Sequence, residues 1–275
     1  MPSFPPQPMS LARLTRLAAA ALLSTGLAGC LAKGSPTTTG SISARAVGPD
    51  AQASLRATSE TQGRRFDAEP GDAENAIAYA GTLRGLGQTA QAVAVLQQAS
   101  IRNPRSLAVL AAYGKALADA GRFKEASEIL SRAHTPERPD WRILSVQGAV
   151  AGQLGDIDGA GRYYEAALKI NPGEPSILSN MGLTLALAKR LGDAETVLRR
   201  AAEHPGADTR VRQNLALVLG LQGKFVEAEA VLKRDLSPVE AAGTLASIRG
   251  MVKEPNSWKA MRQGDSGRPG PPANG

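Results

Sequence analysis

LAVLAAYGKALADAGRFKEASEILSRA, residues 107–133, decides how the chain is read, because its pattern of small and bulky apolar positions returns every 34 residues. Leu107, Leu110, Tyr113, Gly114 and Leu117 fall on one face of a helix, and Ala126, Ile129, Leu130 and Ala133 on one face of a second. Gly121 stands between them, where a helix ends in a left-handed residue that glycine adopts without strain. Stepping outward by 34 in both directions, Ala126 recurs as Ala92, Ala160, Ala194 and Ala228 with no slip. Small residues recur in the same register at Ala80, Gly114, Gly148, Gly182 and Ala216, and bulky ones at Leu96, Leu130, Tyr164, Leu198 and Leu232. That interval is the length of one helix-turn-helix unit in a stacked array.

The register predicts an all-α solenoid over 73–242, built of five repeats at 73–106, 107–140, 141–174, 175–208 and 209–242. Gly87, Gly155 and Gly223 share the column of Gly121, whereas Lys189 breaks it and predicts a strained or differently shaped fourth turn. Asn103-Pro104 and Asn171-Pro172 close two units, since proline lacks the N–H that would continue a helix. In the fifth unit Arg212 replaces an apolar packing residue and Asp235 a small one, as suits an end repeat facing solvent. Leu245, Ile248, Met251 and Val252 mark a final amphipathic helix at 238–254 that caps the open edge. Beyond it, 255–275 is Gly/Pro-rich and reads as a disordered tail. With only 4% aromatic residues, a conventional globular core would lack bulk, but thin alanine-rich helices tolerate that.

Ahead of the array, Arg13 and Arg16 precede an apolar run from Leu17 to Leu23 that is too short to span a bilayer. Charged, apolar and small-residue segments in that order make a secretory signal over 1–29. Leu27-Ala28-Gly29-Cys30 resembles the lipobox of bacterial lipoproteins, in which the cysteine thiol takes a diacylglyceryl group. Cys30 is the one cysteine of the chain, so it has no internal disulfide partner. Leu31 follows it, not aspartate, and the resemblance therefore implies an outer-membrane, periplasm-facing anchor. The stretch 30–72 is rich in Ser, Thr, Gly, Ala and Gln and reads as the lipidated end and a flexible tether, a short helix between Ala51 and Phe66 being the alternative for its second half.

Composition excludes several chemistries. Without the two leader arginines, 30 basic residues face 25 acidic ones, neither clustered nor interleaved with aromatics, which argues against nucleic-acid binding. Two histidines and one cysteine cannot build a Cys/His zinc site, and no cofactor is expected. Gly264-Asp265-Ser266-Gly267 imitates a protease nucleophile loop but lies in the tail of an all-helical chain. Asp156-Ile157-Asp158-Gly159 imitates part of a calcium loop, yet Leu154 stands at the first ligand position. His134 and His204 fall at repeat ends. Neither a metal site, a catalytic site nor a small-molecule substrate is expected.

The pattern Leu-x-x-Tyr-Gly-x-x-Leu followed by Gly, Ala, Leu and Ala resembles the tetratricopeptide repeat family. Such repeats imply a concave wall made by their first helices. Asn180 and Asn214 share one column of that wall, where an asparagine can both donate to and accept from a ligand backbone. The column continues as Ala78, Ala112 and Val146, so solvated surface asparagines are the competing reading. Arg142 and Arg210 share a second column two repeats apart and would favour an acidic ligand.

From about Phe66 to Met261 the chain is similar, more specifically, to the tetratricopeptide lipoproteins of the Tad/Flp pilus secretion system, the TadD family. The residues that carry this are AVAVLQQA (92–99), YGKALADAG (113–121), RVRQNLALVLG (210–220) and NSW (256–258). The resemblance implies a non-enzymatic assembly factor that binds proteins, the Tad secretin or other pilus components foremost. It also implies pilotin-like targeting or stabilisation of that secretin. Alternatives are a scaffold for another envelope machine or for cell-wall enzymes, and, with little residue support, an enzyme with a site in the groove.

Overall fold

The computed structural model describes residues 49–253, all within one compact unit. The leader with Cys30, the stretch up to residue 48 and the tail beyond 253, with Asn256 to Trp258 and Gly264 to Gly267, lie outside the described residues. Among the described residues there are twelve helices and no strand. Ten of them form the five pairs: α2 (Ala73–Gly85) with α3 (Thr89–Arg102), α4 (Leu107–Asp119) with α5 (Phe123–Leu130), and α6 (Trp141–Gln153) with α7 (Ile157–Ile170). Next come α8 (Pro175–Leu187) with α9 (Leu191–Glu203), and α10 (Thr209–Leu221) with α11 (Phe225–Leu232). The array is flanked by α1 (Pro49–Ala68) and α12 (Pro238–Lys253).

Local chemistry fixes where each first helix starts. Asp72, Ser106, Asp140, Glu174 and Asp208 stand at the same 34-residue interval, and each side chain accepts a backbone N–H of the first turn. Such caps are worth roughly 0.5–2 kcal/mol apiece. The turn between paired helices is equally regular: Gly87, Gly121, Gly155 and Gly223 have φ of +74, +73, +90 and +78°. Lys189 adopts φ +62° in the same column, so the fourth turn keeps the common shape and bears the strain of a side chain in a left-handed residue.

Packing then closes each pair. The five alanines of the founding column are all fully buried. Sixteen residues separate each small first-helix position from the bulky side chain that sits on it. A Cβ on Gly114 would stand 2.5 Å from Leu130 Cγ, one on Gly148 2.7 Å from Tyr164 Cε1, and one on Gly182 2.5 Å from Leu198 Cγ. Tyr164 is held in place by a 2.9 Å hydrogen bond between its hydroxyl and that of Thr184, and burial pushes its phenol pKa up.

First helices of successive repeats touch one another, whereas second helices make little direct contact, so the stack closes on the first-helix side. Between α9 and α11 the gap is bridged by charge. Glu195 accepts from Lys224 Nζ at 2.7 Å and pairs with Arg199 at 2.7 Å, and Arg199 reaches Glu227 at 2.5 Å. Lys224 first, against some desolvation and with help from Arg199, holds the Glu195 carboxyl down at about 2.

The structure adds to three expectations. Arg212 and Asp235, which read as separate concessions to solvent, form an ion pair with each other, both side chains largely buried. One repeat earlier the same two positions hold the buried, uncharged Leu178 and Ala201. Residues 49–68, which composition placed in the tether, form helix α1, docked on α2 through Phe66 and Tyr79, whose ring centroids lie 6.1 Å apart. Gln62 fixes it further, its side-chain carbonyl accepting from Thr82 Oγ1 at 2.7 Å. Phe66 is the one fully buried side chain of α1 among those described, so its apolar stripe is too sparse to stand out in the sequence. At the other end Ile248 of α12 packs onto Gly220, a Cβ on which would lie 2.3 Å from Ile248 Cγ2, and Ala241 and Leu245 are buried beside it.

Because Lys189 alone among the described non-glycine residues has a positive φ, Lys189→Gly is expected to raise unfolding stability by about 0.5–1 kcal/mol, relief of strain exceeding the added chain entropy. Denaturant titration of the variant checks this, and a lowered midpoint would contradict it.

Candidate functional site

The wall formed by α2, α4, α6, α8 and α10 carries every side chain that the sequence put forward for binding, apart from Cys30, which lies outside the described residues. Asn180 and Asn214 do occupy equivalent places on α8 and α10, but their amides are engaged within the array. Asn180 Nδ2 donates to Ser145 Oγ on α6 at 3.0 Å, and Asn214 Nδ2 donates to Ser179 Oγ on α8 at 2.9 Å. Ser145, Ser179 and Asn214 are each 4% exposed, and Asn180 is half-buried. Asn214 Oδ1 is buried, with no hydrogen-bond partner among the described residues. The pair therefore clamps three successive first helices together, in place of either a free ladder or solvated surface groups.

Each of these links spans 35 residues, one repeat plus one position. Arg84 on α2 and Asp119 on α4 form an ion pair over the same 35 residues. The signal was present in the sequence as a serine column, Ser145 and Ser179, lying one position before the asparagine column. A search along equal positions passes over it.

Arg142 and Arg210 remain available. Their side chains are 71% and 66% exposed, and each pairs with the cap of its own helix, Asp140 at 4.0 Å and Asp208 at 3.1 Å. Arg142 also stacks over the Trp141 ring, 4.5 Å from its centroid. Burial tends to raise the Asp208 carboxyl, but the Val211 N–H and Arg210 outweigh it and hold it below its ordinary range. The sequence passed over Lys115. It is solvent-exposed on α4, yet desolvation first, and then the nearby Arg84 guanidinium, push its ammonium below the usual lysine range. Asp119 opposes them and Arg210 adds to them. Arg84 and Arg210, from α2 and α10, thus lie near enough to Lys115 to disfavour its charge, although each is itself paired, with Asp119 and Asp208.

The fragments set aside in the sequence have structural roles. Asp156 caps α7 by accepting from the Gly159 N–H at 2.8 Å. His134 Nε2 lies 3.0 Å from Gln147 Oε1, and His204 Nδ1 accepts from the Gly206 N–H at 3.0 Å. Among the described residues no group of three or more His, Cys, Asp or Glu is placed to hold a metal, and no helix is long and apolar enough to cross a membrane.

Tetratricopeptide-repeat family models match residues 83–145, 153–217 and 209–234, the same stretch in which the paired helices recur. The chain is a tetratricopeptide-repeat protein. None of the curated proteins matches it. Among solved structures, this tetratricopeptide array is similar to PilW, titled a widely conserved type IV pilus biogenesis factor, at TM-score 0.57 and 20% identity over 71% of this chain and 91% of that one. A thermophilic tetratricopeptide protein of Thermus thermophilus matches at 0.55 and 21% identity, over 64% of this chain and 98% of that one. One from Parabacteroides merdae matches at 0.55 and 14% identity, over 77% and 84%. These likenesses concern the fold.

If the asparagines tie tetratricopeptide repeats to each other, Ser179→Ala and Asn214→Ala should be coupled. A double-mutant cycle in denaturant is expected to return an interaction energy of about 0.5–1.5 kcal/mol. Additive losses would mean that Asn214 acts elsewhere.

Proposed function

We propose that this protein is an outer-membrane lipoprotein of Tad/Flp pilus assembly, held on the inner leaflet by acyl chains on Cys30, whose first-helix wall binds a segment of the secretin and promotes its assembly. A single acyl chain anchors weakly, so the reading requires at least a doubly acylated cysteine. The observation that carries the binding role is the exposure of cations on the first-helix wall: Arg210 on α10 is 66% exposed and Lys115 on α4 is solvent-exposed. It favours an acidic segment as the ligand, with Arg142 as an exposed neighbour on the same column as Arg210.

Supporting the pilus setting, the segments similar to the TadD family fall on the structural elements just described. AVAVLQQA lies in α3, YGKALADAG ends α4 and includes Lys115, and RVRQNLALVLG makes up most of α10, with Arg210 and Asn214. PilW, a type IV pilus biogenesis factor, makes pilus assembly a setting in which this fold is used. The chemistry proposed is binding without catalysis.

The test is genetic and biochemical together. Deletion of the gene is expected to abolish secretin multimers and pili, and Cys30→Ser to release the protein from the outer membrane and reproduce that loss. Lys115→Glu, which reverses the central charge, is expected to leave the anchor intact and weaken secretin binding. Normal multimers and pili in the deletion strain would overturn the proposal.

A further inference from the structure

The gap between second helices is sealed in the last pair of repeats and open in the pair before it. Between α9 and α11, Glu195 meets Lys224, and Arg199 meets Glu227. One repeat earlier the equivalent residues are Gly161, Arg190, Glu165 and Asp193. Gly161 offers no side chain, and a Cβ there would meet nothing within 4 Å. Arg190, lacking the partner that Lys224 has, turns back to Asp193 of its own helix at 2.7 Å. Glu165 stands where Arg199 stands, so two carboxylates line the gap where an arginine and a glutamate join hands in the next repeat. Glu165 has no hydrogen bond or ion pair among the described residues.

The result is an open groove of about 570 Å³ between α7 and α9, with Met181 and Leu185 of α8 and Val197 of α9 on its floor. Asp158 and Arg162 also line it, giving three carboxylates against two guanidiniums. Relative to its sealed counterpart the groove lacks one cation at the Glu165 position.

We propose that this groove is a second docking site, on the opposite side of the array from the first-helix wall, and that it takes an arginine or lysine side chain of a protein partner. The aliphatic stem lies over Met181, Leu185 and Val197, and the cationic head reaches Glu165 and Asp193, doing for this gap what Arg199 does for the next. Long basic side chains are suited to this, since their stems cover apolar surface while the head stays polar. The chain's own Arg199, bonded to carboxylates on α9 and α11, is the internal precedent for the occupant. The site requires that the array bind a protein, and does not require that the protein be the secretin.

The test uses the full chain in detergent and two short fluorescent peptides, one with a single arginine between leucines and one with glutamate in its place. Fluorescence anisotropy is expected to show binding of the arginine peptide alone. Glu165→Arg should weaken it at least about tenfold, the scale of one charge-assisted contact, and Glu165→Gln by a smaller factor. Gly161→Glu combined with Glu165→Arg rebuilds the sealed network and is expected to abolish binding while raising the melting temperature, which separates a filled groove from a misfolded chain. Lys115→Glu on the other wall should leave arginine-peptide binding unchanged, so the failure of either site is seen independently. Equal binding of the glutamate peptide, no binding of the arginine peptide, or indifference to Glu165→Arg would each overturn the proposal.

Discussion

Each helix pair in this array depends on a bulky side chain seated against a residue that has almost none. Leu130 on Gly114, Tyr164 on Gly148 and Leu198 on Gly182 leave no room for a Cβ, and in the first and last repeats the same positions hold the buried Ala80 and Leu96, and Ala216 and Leu232. Interiors are packed too densely for such a contact to slide, so its position fixes the register of the two helices. The left-handed turn joining them, the side-chain cap at the start of each first helix and the buried alanine column all follow that register. Ile248 on Gly220 applies the same device to α12, which is why a helix outside the repeat pattern seals the array.

Much of this was legible because close approach demands small residues, and small residues at a constant interval are visible in a sequence. The five repeats and the turn glycines could be read from 34-residue columns, and the capping helix from its own apolar stripe. What escaped was chemistry that lies off those columns. The Ser145–Asn180 and Ser179–Asn214 links span one repeat plus one residue, so equal-position comparison showed asparagines without partners. Arg212 and Asp235 were each visible as exceptions, but their meeting depends on how α10 packs against the end of the fifth repeat. The cap column from Asp72 to Asp208 mixes Asp, Ser and Glu and is hidden by that variety, although the function is constant. Helix α1 is anchored by one buried aromatic and a few hydrogen bonds, too little for a periodic signal.

The same geometry accounts for the two surfaces on which function is proposed. Because first helices touch, their wall presents side chains from several repeats together, the exposed Lys115, Arg142 and Arg210 among them. Because second helices make little direct contact, the gaps between them must be bridged by side chains or left open. Glu195, Lys224, Arg199 and Glu227 bridge one, while Gly161 and Glu165 leave the one before it open. Sequence variation that leaves the packing columns intact can therefore write different chemistry on each wall without altering the fold.

The most direct measurement is the change in unfolding free energy for one substitution at two glycines. Gly81 on α2 is exposed and a Cβ there meets nothing within 4 Å, so Gly81→Ala should stabilise the chain by about 0.5–1 kcal/mol through helix propensity. Gly148→Ala drives a methyl into the Tyr164 ring, which Thr184 holds in place, and should destabilise by roughly 1–3 kcal/mol. Opposite signs are the result this account predicts. An increase in stability at both positions would show that the seated side chain does not set the register.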